Sequence, residues 1–157
     1  MTDMLVKLYD LPLDFSFVAQ QASQGVAIRK PIGAEKGLIL DWAGEHWQDA
    51  WRSEVDVAMS NVPISCFIAV QDNELIGISC YDATALGFFS TMGVLEPYQG
   101  QGTGKALLLA CMQDMKLKGY GYAIIGSAGP VDFYRKAVGA VPIPDSVPGM
   151  WRGWLYR

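Results

Sequence analysis

The segment Gln99-Gly100-Gln101-Gly102-Thr103-Gly104 joins a predicted strand over residues 86–95 to a predicted helix over residues 105–118. Its three glycines allow the main chain to approach a bound group closely. The helix that follows directs unpaired backbone N–H groups and the positive end of its dipole to the same point. Phosphate groups bind at such helix N-termini. The segment therefore predicts an anion-binding turn in which backbone amides, rather than side chains, hold the ligand.

Two nucleotide-binding loops are excluded by counting residues. A Walker A loop needs Gly six residues before its Lys, but Gln99 stands at that position, and Ala106 replaces the Ser or Thr that should follow Lys105. The dinucleotide fingerprint needs a third Gly three residues after Gly102, where the chain has Lys105. The turn belongs to neither class.

The elements around the turn alternate between strand and helix. Residues 105–118 form a helix because four apolar residues share one face, and Gly119 ends it. A short buried strand is predicted at Tyr122–Ile125, followed by a helix that begins at Gly129-Pro130 and runs to Val138-Gly139. The apolar face of the first helix carries Leu108, Cys111, Met112 and Met115.

The N-terminal half is read in the same way. Predicted strands cover residues 5–9, 26–30, 64–70 and 75–81, and a polar turn at Gln71–Glu74 joins the last two. Residues 15–24 are predicted to be a helix capped by Asp14, and residues 35–58 to be two helices that break at Gly44. Residues 140–144 and 150–156 are predicted to close the fold as a hairpin. The order indicates one α/β (α+β) domain over residues 1–157 with a single mixed, mostly antiparallel sheet flanked by helices.

The pattern Gln99-x-x-Gly102-x-Gly104 resembles the pyrophosphate loop of the GNAT superfamily of acyl-CoA-dependent N-acyltransferases. That motif is Gln or Arg, two residues, Gly, one residue, then Gly or Ala. Val94 and Tyr98 precede the turn at spacings common in that family, and the following helix, strand and helix occur in the family's order. The resemblance covers residues 64–142 and implies splayed central strands.

The resemblance also implies a cofactor and a set of site residues. Acetyl-CoA is the expected co-substrate, and no metal is required. Tyr134 stands at the position of the general acid that protonates the departing thiolate. Ser127 and Pro130 depart from the Asn and Ala that are common before this tyrosine, and Gly139 follows at the fifth position after it where the fourth is common. The residues expected to bind the cofactor are Val94, Gln99, Gly100, Gln101, Gly102, Thr103, Gly104 and Lys105.

The implied reaction is transfer of an acetyl group to a primary amine of a small molecule or peptide, by direct attack in a ternary complex. The alternative is a non-catalytic module that binds or senses acyl-CoA. The general base stays open among Glu45, His46 and Asp82, and a cysteine nucleophile has no recognisable histidine partner. A helical stripe of Asp41, Glu45 and Asp49 beside Trp47 and Trp51 would suit a cationic amine, although it would equally suit a solvated face over a core.

Composition limits which partners and cellular locations the sequence can predict. The 157 residues are 51% hydrophobic and carry a net charge of −4, which argues against a nucleic-acid partner. Three separated cysteines without a C-x-x-C pair indicate a reducing compartment. Residues 1–4 lack the basic start of a signal peptide and no long apolar run follows, so the sequence predicts a cytoplasmic protein without a membrane partner. The apolar closing strands predict a possible homodimer.

Overall fold

A computed structural model describes residues 1–156 and contains a seven-stranded sheet with five α-helices. The strands are β1 (Met4–Lys7), β2 (Val26–Arg29), β3 (Cys66–Gln71), β4 (Glu74–Tyr81), β5 (Phe88–Val94), β6 (Tyr122–Ile125) and β7 (Val141–Pro142). The helices are α1 (Ser16–Ala22), α2 (Lys36–His46), α3 (Asp49–Ser60), α4 (Thr103–Lys118) and α5 (Val131–Val138). The predicted α/β class with a mixed sheet is confirmed. Within residues 1–156, no helix combines the length and apolar character needed to cross a bilayer.

The sheet separates at its centre. The strand order is β2-β3-β4-β5-β6-β1-β7, and only β5 and β6 run parallel. These two strands pair through Phe88 with Ile124 and Phe89 with Ile125. From Ser90 to Val94, β5 continues along β4 alone within the described residues. The predicted splay of the central strands is therefore confirmed.

Helices cover both faces of the sheet. Side chains alternate along β4, so Ile78 packs with α2 and α3 while Ser79 donates a hydrogen bond to the Leu107 carbonyl of α4 at 3.0 Å. The predicted apolar face of α4 is fully buried at all four positions. Gly119 ends this helix in the left-handed conformation, with φ of 106°.

The β3–β4 connection forms as the sequence predicts. Asp72 and Asn73 both have positive φ, 50° and 63°, and they link strands that end at Gln71 and begin at Glu74. A two-residue turn of this kind matches the right-handed twist of the strands it joins.

The break between α2 and α3 lies at Trp47-Gln48, so the prediction of a break at Gly44 is wrong. Gly44 lies inside α2, where a glycine weakens a helix by about 1 kcal/mol without ending it. Trp47 is extended instead, with φ of −138°, and its indole packs against Gly93 of β5. This tertiary contact decides where the helix ends.

The predicted closing hairpin is also wrong. β7 has only two residues, and residues 149–156 contain a single 3-10 turn, Gly149–Trp151, and no strand. β1 occupies the position between β6 and β7 and pairs with both, because its own apolar residues Met4 and Val6 are completely buried there. The homodimer expected through the closing strands stays a prediction.

Candidate functional site

The turn after β5 has the geometry of an anion site. Gly100 and Gly102 have φ of +80° and +81°, a conformation that residues with a side chain rarely adopt. The N–H of Ala106 donates the first bond of α4 to the Gly102 carbonyl at 3.0 Å. The amides of residues 103–105 therefore have no acceptor within the helix, and they lie at the positive end of its dipole.

The free edge of β5 presents a second row of backbone donors. The N–H of Leu95 points toward β4, where it bonds the Ile76 carbonyl at 2.9 Å. Successive residues of a strand direct their N–H groups to opposite neighbours. The N–H groups of Val94 and Met92 consequently point to the edge that β6 leaves free.

These two sets of donors meet in one groove of about 550 Å³, which we call the cofactor groove. Six of the eight predicted cofactor residues line it: Val94, Gln99, Gly100, Gly102, Gly104 and Lys105. The Gln99 amide also bonds the Val94 carbonyl at 2.9 Å, which holds the turn against the strand. The opposite wall comes from α5 through Pro130 and Phe133. The two other predicted residues, Gln101 and Thr103, lie outside the groove lining.

Gln21 of α1 contacts the glycine turn but does not line the cofactor groove. It was not singled out by the sequence. Its side-chain amide donates to the Gln101 carbonyl at 3.0 Å, and its carbonyl accepts from the Thr103 hydroxyl at 2.7 Å. Gln21 is 3% exposed and Thr103 is 2% exposed, so both bonds are shielded from water. Since 80 residues separate Gln21 from Gln101, no local pattern links them.

Tyr134 lies beside the cofactor groove rather than in its lining. Its ring packs edge-on against Phe89 and Phe133 with centroid separations of 6.4 and 5.2 Å, and the residue is 7% exposed. Burial away from water raises the pKa of its phenol. The phenol is protonated at neutral pH, as in an ordinary tyrosine, and it lies next to the point where β5 and β6 separate.

An aromatic stack covers the α2–α3 side of β5. Trp47 stacks on Trp51 at 4.8 Å and meets Trp42 edge-on at 4.9 Å. A methyl group on Gly93 would lie only 2.5 Å from Cζ2 of Trp47, so only glycine fits beneath the indole. Trp47 and Trp51 thus form a wall of the cofactor groove, a position that their helical spacing alone did not indicate.

A second groove of about 850 Å³ lies between α3 and residues 151–156, and we call it the α3 groove. Glu54 lines it and accepts hydrogen bonds from the hydroxyls of Thr84 and Thr91, the latter at 2.6 Å. Glu54 was not singled out by the sequence because its partners lie 30 and 37 residues away. Of the predicted acidic stripe, Asp49 lines this groove, whereas Asp41 and Glu45 are exposed and line neither groove.

Of the other candidates for acid–base or nucleophilic roles, His46 is exposed at the end of α2 beside Trp42 and lines neither groove, whereas Asp82 and Cys111 are buried. Asp82 is 6% exposed and bonds Lys118 at 3.1 Å, the Tyr120 hydroxyl at 2.8 Å and the Gly87 N–H at 2.7 Å. Cys111 is completely buried, and burial raises the pKa of its thiol well above the ordinary value. Asp82 thus has three partners that fix it in the fold, and the Cys111 thiol has no access to solvent.

Comparison with known proteins agrees with this geometry. The profile of the acetyltransferase (GNAT) family matches residues 36–140, more than half of the 157 residues. The chain therefore belongs to the acetyltransferase (GNAT) family. A search of curated protein sequences finds no match.

Solved structures show the same fold at low sequence identity. The GCN5-related glucosamine N-acetyltransferase region of a fungal multi-domain β-N-acetylglucosaminidase superposes with a TM-score of 0.72 at 13% identity, over 90% of this chain and 19% of that one. A GCN5-related N-acetyltransferase from Sphaerobacter thermophilus gives 0.68 at 18% identity, over 90% and 48%. An aminoglycoside acetyltransferase from an uncultured soil metagenomic sample gives 0.50 at 17% identity, over 73% and 88%. The chain spans less than half the length of the first two proteins.

Proposed function

We propose that this protein is an acetyl-CoA-dependent N-acetyltransferase, which transfers an acetyl group to a primary amine of a small molecule or peptide in a ternary complex. One observation carries the proposal: the free amides of the glycine turn and the free edge of β5 line the same groove. A turn that served only the fold would not need an unpaired strand edge beside it. The cytoplasmic location stays a prediction.

The cofactor groove fits acetyl-CoA part by part. The amides of Gly104 and Lys105 and the α4 dipole suit the pyrophosphate, which is a doubly charged anion. The N–H groups of Met92 and Val94 suit the carbonyl oxygens of an extended pantetheine arm, which would add to the β5 edge as a strand does. When bound, acetyl-CoA supplies an acetyl group activated as a thioester.

The chain's own residues would then act on the thioester in two ways. The Met92 N–H at the free edge would stabilise the negative charge that develops on the thioester oxygen, and one well-placed donor contributes about 2.7–4 kcal/mol to such a step. Tyr134, whose phenol is protonated at neutral pH, would deliver a proton to the departing thiolate. Direct attack by the amine needs no nucleophile from the protein, which agrees with cysteines that are buried.

Calorimetry with acetyl-CoA tests the binding half of the proposal. We expect binding by the wild type and a loss of about 100-fold or more in Gly102→Glu, because a carboxylate would face the bound phosphates. Gly119→Glu is the matched control, since Gly119 also has a positive φ, +106°, is exposed with open space around it, and lies at the other end of α4. Melting temperatures of both variants separate lost binding from lost folding. A wild type that does not bind acetyl-CoA would withdraw the proposal.

Release of CoA in the presence of amines tests the catalytic half. Tyr134→Phe is expected to lower kcat by about 100-fold while leaving the Kd for acetyl-CoA unchanged, because the phenol acts only as the thiolate leaves. Tight acetyl-CoA binding without CoA release for any amine would favour the non-catalytic binding module instead.

A further inference from the structure

We propose that the α3 groove is the acceptor site, and that it takes a primary ammonium group carried on an apolar or aromatic body. This inference rests on the acetyl transfer proposed above and names the acceptor class for it. Glu54 is the residue that would anchor the ammonium group. The argument uses the position of this carboxylate, the charges around it and the aromatic wall opposite.

Glu54 is linked by one hydrogen bond to the β5 segment that would hold the thioester. Its carboxylate accepts the Thr91 hydroxyl at 2.6 Å, and Thr91 immediately precedes Met92, whose N–H faces the free edge of β5. The Thr84 hydroxyl bonds the other carboxylate oxygen, so both oxygens are fixed in place. A carboxylate oxygen retains a further acceptor position when it holds one hydroxyl. An ammonium group bound there would lie on the α3 side of β5, one hydroxyl away from the residue that precedes Met92.

The charges of the α3 groove select a cation. Asp49 and Glu54 contribute two carboxylates, and none of the described lining residues is basic. A cationic amine would gain a charge-assisted hydrogen bond with the half-buried Glu54 carboxylate. A substrate that also carried a carboxylate would be repelled by the same two acids. The groove therefore discriminates a simple amine from an amino acid.

The opposite wall is aromatic and accessible. Trp151 meets Trp154 edge-on at 5.1 Å, and Trp154 stacks on Tyr156 at 5.3 Å. Trp154 is 40% exposed and Tyr156 is 76% exposed, although both bear large apolar surfaces. A ligand with an apolar body would cover these rings, and its cation would lie near their faces. At about 850 Å³, the groove is in the size range of small-molecule sites, roughly 300–1,000 Å³.

Three probe amines separate the contributions of charge and apolar body. We would measure kcat/KM for CoA release by the full chain with 2-phenylethylamine, with phenylalanine, which adds a carboxylate, and with ethanolamine, which lacks the ring. The expected preference for 2-phenylethylamine over each of the others is about 10-fold or more, as for one favourable charge or ring contact. Equal use of the three probes, or preference for phenylalanine, would overturn the inference.

Variants assign the effect to the groove. Glu54→Gln should lower kcat/KM for 2-phenylethylamine by about 10- to 100-fold, the loss expected for one charge-assisted hydrogen bond, and leave the acetyl-CoA Kd unchanged. Asp41→Asn is the matched control, because Asp41 is exposed on α2 and lines neither groove. Trp154→Ala should reduce the preference for 2-phenylethylamine over ethanolamine and leave the acetyl-CoA Kd unchanged as well.

The outcomes separate the two proposals. Acetyl-CoA binding and CoA release that are unaffected by Glu54→Gln would overturn the acceptor site and leave the acetyltransferase proposal standing. Failure of the wild type to bind acetyl-CoA at all would remove the proposed function, and the acceptor site with it.

Discussion

Gln21→Leu tests whether α1 positions the glycine turn at residues 99–104 for acetyl-CoA binding. This helix lies before residues 36–140, which match the family. The substitution keeps the apolar stem of the side chain and removes both hydrogen bonds, to the Gln101 carbonyl and from the Thr103 hydroxyl. We expect weaker acetyl-CoA binding with an unchanged kcat at saturation. The reason is that Gln21 touches the turn but lines no part of the β5 edge.

The magnitude follows from burial. Each net hydrogen bond contributes about 0.5–1.5 kcal/mol, and a buried group left without a partner costs about 1–3 kcal/mol. Thr103 is 2% exposed, so its hydroxyl has little access to water as a substitute partner. We therefore expect the glycine turn in its observed conformation to be about 2 kcal/mol less stable in Gln21→Leu than in the wild type. If binding must supply roughly 1.4 kcal/mol to order the turn, the Kd for acetyl-CoA rises about 10-fold.

The assay compares three variants by calorimetry and steady-state kinetics. Gln20→Leu is the control, because Gln20 is an exposed neighbour on the same helix and its side chain bonds neither Gln101 nor Thr103. Gln21→Glu keeps an acceptor for Thr103 but loses the donor to the Gln101 carbonyl and puts a negative charge in a site that is 3% exposed, so its binding defect should be larger than that of Gln21→Leu and should change little with salt. A Gln21→Leu protein with a lowered melting temperature but a wild-type acetyl-CoA Kd would refute the positioning role.

Two further predictions concern packing and pH. Gly93→Ala should destabilise the protein by about 1–3 kcal/mol through overpacking, because the added methyl lies 2.5 Å from Trp47, and should weaken acetyl-CoA binding as that indole shifts into the groove. Chemical denaturation and calorimetry check this, and an unchanged midpoint and Kd would contradict it. The Arg29 guanidinium and the Ile32 N–H lower the pKa of Glu35 from 4.5 to about 2, so the stabilisation from Glu35 is present above about pH 4.5 and is lost as the pH falls through about 2. Urea unfolding of Glu35→Gln should therefore show a deficit below about 1 kcal/mol at pH 7 that disappears near pH 2, and a deficit independent of pH would be evidence against the pair.

The features that the sequence predicted correctly depend on residues close together in the chain. The glycine turn before α4, the Asp72-Asn73 hairpin and the strand at Tyr122–Ile125 each follow from local backbone preferences. The buried face of α4 follows from a spacing of three and four residues. The family resemblance came from the same short-range pattern, because a phosphate-binding turn needs its glycines at fixed positions.

Other features depended on contacts between distant residues. Trp47 ends α2 because its indole packs over Gly93, and β1 replaces the expected closing hairpin because it pairs with both β6 and β7. A sequence pattern states which residues are apolar, but it does not state which strand will take a free sheet edge.

The sequence by itself determined the α/β class, the glycine turn before α4 and six of the residues that line the cofactor groove; anion binding by the turn stays a prediction. Only the tertiary structure brought Gln21 behind the turn, and only it joined Glu54 to Thr84 and Thr91 beside the free edge of β5. The physical reason is the range of the interactions. Backbone conformation and helix dipoles act over a few residues, whereas a buried polar side chain takes whichever partner folding brings within 3 Å, roughly the length of one hydrogen bond.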